Sequence, residues 1–129
     1  MSGAPAPLVL VVEDSDAIRA AFTILLEESG YAVAAAANGA EALRLAEERS
    51  PDLVLLDLGL PDMPGLDVAR RLKTVPATSS VPIVALTGRD EASDRDALMA
   101  AGCAAYLVKP VDTHRLIESL PGYIGKSHP

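Results

Sequence analysis

Cysteine is nearly absent. Cys103 stands alone, so no internal disulfide can form. That excludes a disulfide-stapled scaffold and suits a reducing compartment, with the lone thiol read as a small buried hydrophobe. Tryptophan is missing and aromatic residues make up only 3% of the chain, which leaves little to flank a flavin. Basic residues are scarce: 11 Lys and Arg stand against 18 Asp and Glu, for a net charge of −7. A nucleic-acid surface requires a basic face, so direct nucleic-acid binding is not expected. No apolar run approaches membrane-spanning length, and no membrane association is expected. Residues 1–7 lack a basic region followed by an apolar stretch, so they read as a short flexible lead and not a secretion signal. A cytoplasmic location is the expectation.

What is present is enough for one core. Hydrophobic residues form 50% of 129 residues, which fits a single globular domain, here placed at 8–120 with a tail at 121–129 too short for an appended effector domain. Leu8 to Val12 is an apolar run that ends at Glu13-Asp14. Ser15 can cap a helix carrying Ile18, Phe22, Leu25 and Leu26 at helical spacing, with Gly30 as its stop. Tyr31 to Ala37 is a weak, alanine-rich strand. Asn38 opens the next helix with Glu41 three residues on, a variant of the capping box, and Ser50-Pro51-Asp52 closes it.

Leu53 to Leu56 runs straight into Asp57 and then into a loop with two prolines and two glycines, the pattern of a buried central strand. A short helix bearing Leu66, Ala69 and Leu72 follows, then a strand from Val81 to Leu86 that stops at Thr87-Gly88. Asp90 is expected to open a helix with Ala97, Leu98 and Ala101 that ends at Gly102. Ala104 to Val108 forms a last strand before Lys109-Pro110. Asp112 caps a helix with Leu116, Ile117 and Leu120, which Pro121-Gly122 is expected to cut short. Five strand–helix repeats predict an α/β fold: a five-stranded parallel sheet with helices on both faces, doubly wound and flavodoxin-like.

In such a sheet all strand C-termini share one edge, so Glu13, Asp14, Asp57, Thr87 and Lys109 converge there. Any one of these residues could be an ordinary cap or turn former; four strand ends bearing them together point to a site. Three crowded carboxylates repel at low dielectric and call for a cation beyond the single Lys109 charge. Hard carboxylate oxygens in an incomplete set suit Mg²⁺.

The same residues carry a family resemblance over about Leu8 to Leu120. Glu13-Asp14, Asp57 with Leu60-Pro61 and Pro64-Gly65, Thr87-Gly88, and Tyr106-Leu107-Val108-Lys109-Pro110 occur in an order and spacing that resembles the receiver domain of two-component response regulators. The resemblance implies that Asp57 accepts a phosphoryl group from a phosphohistidine on a histidine kinase or a phosphotransfer protein. It implies that Asp14 and Asp57 ligate Mg²⁺ directly, Glu13 largely through water, and Gly59 through its backbone carbonyl. Thr87 and Lys109 would contact phosphoryl oxygens, and the Lys109-Pro110 peptide would be cis. Thr87 would then move toward the phosphoryl group and Tyr106 would turn into the vacated space. That remodels the face of the fourth helix, fifth strand and fifth helix for a downstream protein partner. Such a chain is no enzyme toward outside substrates. His114 and His128 read as surface residues, not as phosphoryl donors.

Two departures stand out. Glu13 is one methylene longer than the Asp often found there. Ala104-Ala105 precede Tyr106 where many DNA-binding members carry acidic residues, so a monomer is expected. Rival readings are a flavodoxin-like cofactor binder, a Mg-dependent phosphatase, and a receiver module from a hybrid histidine kinase. The first would want a phosphate cradle, for which Glu13-Asp14 has the wrong charge. The second would want a lid insertion, and every loop here is short.

Overall fold

The computed structural model describes residues 5–88 and 92–127. The elements are β1 (Leu8–Val12), α1 (Asp16–Glu28), β2 (Ala32–Ala36), α2 (Gly39–Arg49), β3 (Leu53–Asp57), α3 (Gly65–Thr74), β4 (Ile83–Thr87), α4 (Ala92–Ala100), β5 (Ala105–Val108) and α5 (Thr113–Ser127). The strands form one parallel sheet in the order β2-β1-β3-β4-β5, as the strand–helix alternation predicts. Asp90, expected to open the fourth helix, lies outside the described residues.

Alternation along the strands divides the core. Leu10, Val12, Val54, Leu56, Ile83 and Ala85 pack with residues of α2, α3 and α4 on one face. Val9, Val11, Leu53, Leu55, Val84 and Leu86 pack with residues of α1 and α5 on the other. β3 is buried along its whole length, Asp57 included. Its four apolar side chains are each at most 1% exposed. Burial of each contributes roughly 1.5–3 kcal/mol, enough together to hold one desolvated carboxylate, which costs several kcal/mol, at the strand end.

Caps behave as their residue types require. The Ser15 Oγ accepts from the Ile18 N–H, and the Asn38 Oδ1 accepts from the Glu41 N–H at 2.8 Å. Glu41 reaches back to the Ala37 N–H, one residue before the cap. Gly30 and Gly102 both take φ of +95°, the left-handed turn that ends α1 and α4.

The last helix departs from expectation. It does not stop at Pro121-Gly122 but runs to Ser127 with Pro121 inside it. Leu116, Ile117 and Leu120 are buried before the proline, and Tyr123 and Ile124 pack on the same core after it. Apolar contact on both sides outweighs the roughly 3 kcal/mol that an internal proline costs a helix. The residues from 121 to 127 are therefore helix, not tail.

Gly65 makes the loop after β3 possible. A Cβ there would lie 2.6 Å from the Leu58 Cα, against backbone, whereas one at Gly39 would meet the flexible Met63 side chain. Gly65→Ala is therefore expected to destabilise the fold by about 1–3 kcal/mol, read as a lower urea midpoint, with Gly39→Ala costing less. Equal midpoints for the two variants would contradict this packing.

Candidate functional site

Sheet order reverses direction between β1 and β3, and the crevice at such a point is where open α/β sheets place ligands. The register sets the strand ends level there. Val12 pairs with Leu56, Asp57 with Leu86, and Thr87 with Val108. Glu13-Asp14, Asp57, Thr87 and Lys109 accordingly meet at one rim, though they are far apart in sequence.

One carboxylate oxygen from each of Glu13, Asp14 and Asp57 lies within 4.8 Å of the other two. Glu13 and Asp57 are buried and Asp14 is exposed, so the cluster opens to solvent on one side. Lys109 Nζ donates to Asp57 Oδ1 at 2.9 Å across 52 residues of sequence, and the Gly59 N–H donates to the same oxygen at 3.1 Å. The Lys109–Pro110 peptide is cis. The Lys109 N–H donates to the Thr87 carbonyl at 2.7 Å, tying the ends of β4 and β5 together. Thr87 itself is 6% exposed. Tyr106 is half-buried, packs on the α2–α4 side of the core, and carries the Arg95 guanidinium 5.3 Å from its ring centre.

Glu13 is the most perturbed group of the rim. Its Oε2 accepts the Ser15 N–H at 2.9 Å, while Oε1 is the one buried side-chain polar atom without a partner among the described residues. Burial, and then the neighbouring Asp57 charge, push its pKa up to about 7. Three carboxylates beside one ammonium leave excess negative charge, and one Glu13 oxygen is buried without a partner. This donor set fits a hard divalent cation such as Mg²⁺, held by Glu13, Asp14 and Asp57.

A pH dependence follows. A carboxyl whose pKa rises on folding gives stability that is full below about 4.5 and is lost as pH rises through about 7. In EDTA the urea midpoint is expected to fall between about pH 5 and about pH 8, and Mg²⁺ should restore it at the higher pH. A midpoint that rises over that range in EDTA would contradict a desolvated Glu13.

Two supporting residues escaped the sequence reading. Asp62, in the loop after β3, accepts the N–H of Gly39 at 2.8 Å and of Ala40 at 3.0 Å. These amide donors at the start of α2 hold its carboxyl below the usual range and tie that loop to the helix. Arg19 donates to the carbonyl of Glu13 at 2.8 Å. Neither contact has a local sequence signal; an acidic residue in the Pro/Gly loop is the only hint of the first.

A doubly wound parallel sheet with an acidic crevice and an opposing lysine is one class of signalling fold, and comparison with known proteins identifies it. Residues 9–121 match the family model of the response regulator receiver domain, and the chain belongs to that family. It is 38% identical over 117 residues to the polar-differentiation response regulator DivK of Brucella anthropi, covering 91% of this chain and 95% of that one. A CheY-like receiver domain protein from Methanospirillum hungatei superposes with a TM-score of 0.89 at 28% identity, covering 95% of this chain and 96% of that one. The receiver domain of a sensor histidine kinase from Pseudomonas aeruginosa, solved with a magnesium ion coordinated in its active-site cleft, gives 0.84 at 32% identity, covering 93% and 98%. No helix among the described residues is long and apolar enough to cross a membrane.

Proposed function

We propose that this receiver domain accepts a phosphoryl group on Asp57 from a phosphohistidine and uses it to switch a docking face for a protein partner. The observation that carries the proposal is the Lys109–Asp57 contact within the acidic cluster. Asp57 Oδ1 is held by Lys109 and by the Gly59 N–H, so its carboxylate is fixed at the buried end of β3 beside the other two acids. Glu13, Asp14 and Asp57, with the Gly59 carbonyl, would hold Mg²⁺ there. Bound Mg²⁺ supplies charge neutralisation for phosphoryl oxygens.

An Asp57 carboxylate oxygen attacks phosphorus as the phosphorus–nitrogen bond breaks. The electron pair leaves with the imidazole nitrogen, which takes up a proton. Lys109 moves its ammonium from the carboxylate toward a phosphoryl oxygen, and the Thr87 hydroxyl donates to another. The product is an acyl phosphate carrying about 1.5 to 2 negative charges. Thr87 and Tyr106 then shift toward the site, and α4, β5 and α5 adopt a second packing. The chain acts on no outside substrate; it catalyses only the gain and loss of its own phosphoryl group, in the cytoplasm. Incubation with acetyl phosphate and Mg²⁺ should add one phosphoryl mass, and EDTA should prevent it. No adduct under either condition would overturn the proposal.

The switched face should serve a partner of different sequence. Ala104 and Ala105 offer no ion pairs before Tyr106, and exposed pairs are worth about 0.2–1 kcal/mol each. Sedimentation with beryllofluoride, a phosphoryl mimic, is expected to show a monomer. A salt-sensitive dimer that forms only with beryllofluoride would contradict this.

A further inference from the structure

Arg19 sits in the second turn of α1, and its guanidinium turns back onto the loop that leaves β1. Nη1 donates to the Glu13 carbonyl at 2.8 Å and more weakly to the Asp14 carbonyl at 3.4 Å, while Nη2 pairs with the Asp16 carboxylate. The Arg19 side chain is 21% exposed and the Asp16 side chain 93%, and of the three contacts only the one to the Glu13 carbonyl is partly buried. The two carbonyls belong to the residues whose carboxylates face Asp57. Within the same loop, the Ser15 N–H occupies Glu13 Oε2, while Oε1 is buried without a partner. The loop is thus gripped from two sides, by the start of the helix and by the guanidinium fork.

We infer that Arg19 is a positioning residue for the cation site: by holding the Glu13 and Asp14 carbonyls it fixes both carboxylates in the geometry that binds a divalent cation. The inference rests on the Mg²⁺ reading proposed above. Outer partners that orient ligands matter for affinity because a misaimed ligand must be ordered at the moment of binding. Charge and clamp make opposite demands here. Arg19 brings a positive charge near a site for a dication, so by Coulomb's law alone its removal would tighten Mg²⁺ binding. As a clamp, its removal weakens binding.

The sign of that change is the test. Mg²⁺ is titrated calorimetrically into the full chain as wild type, Arg19→Ala, Arg19→Gln and Arg19→Lys, with urea midpoints measured in EDTA. Arg19→Ala should weaken Mg²⁺ binding roughly tenfold or more, and Arg19→Lys should recover part of it, because an ammonium can still reach one carbonyl. The rate of labelling by acetyl phosphate should return toward wild type at saturating Mg²⁺, so that the defect lies in metal dependence. Unchanged affinity in Arg19→Ala with a lower urea midpoint would reduce Arg19 to a structural residue and overturn the inference alone. Tighter binding would overturn it in favour of a purely Coulombic role. A wild type that binds no Mg²⁺ would overturn the metal reading and the inference with it. If Arg19→Ala does not fold, Arg19→Gln against Arg19→Lys decides on the same signs.

Discussion

Asp57→Asn should take up no phosphoryl group from acetyl phosphate and Mg²⁺, while folding as the wild type does. The expected change is complete loss of the adduct, because the nucleophile is removed and not merely weakened. The amide nearly matches the carboxylate in size and can still accept from the Gly59 N–H and from Lys109, the two donors to Asp57 Oδ1. Removing one of three clustered carboxylates also relieves repulsion, so the urea midpoint in EDTA should hold or rise. Intact mass before and after incubation reads the first part and denaturation the second. An undiminished adduct in the variant would move the acceptor elsewhere.

Loss of Mg²⁺ binding in Asp14→Ala is the second large effect. Direct ligation loses more on truncation than a contact made through water. The exposed Asp14 stands at the open side of the cluster with access to a hydrated ion, whereas Glu13 is buried and has one oxygen committed to the Ser15 N–H. Asp14→Ala is expected to bind Mg²⁺ at least tenfold more weakly than the wild type, and Glu13→Ala to lose less. The two should also differ in stability. Glu13→Ala removes a desolvated acid and so should flatten the fall in stability with pH, while Asp14→Ala, which removes only the smallest of the contributions raising the Glu13 pKa, should leave most of that fall in place. Equal losses of affinity would contradict the division of labour between them.

Much of this site is legible in the sequence. Four apolar residues ending in Asp57 identify a buried central strand, and parallel topology puts Lys109 on the same edge; the β3-β4-β5 order then brings it to Asp57 across 52 residues. What could not be read is tertiary. Asp62 lies 22 and 23 residues from the amides it holds, a separation that no helical or strand period reports. The orphaned Glu13 oxygen depends on how deeply the loop sits, and Arg19 in sequence is only one more charge on an amphipathic helix. Pro121 misled because local propensity favours a stop, while Tyr123 and Ile124 supply burial on its far side. Ile18, read as part of the apolar face of α1, is 45% exposed, since that face narrows to Phe22 and Leu26.

Borohydride reduction of the phosphorylated chain tests the central claim most directly. It converts an aspartyl phosphate to homoserine and leaves free carboxylates and phosphoserine unchanged, so peptide sequencing by mass spectrometry names the residue. The account predicts homoserine at position 57 alone, only after incubation with both phosphodonor and Mg²⁺. Homoserine at position 14, or a phosphoryl adduct that survives borohydride on a hydroxyl side chain, would contradict it.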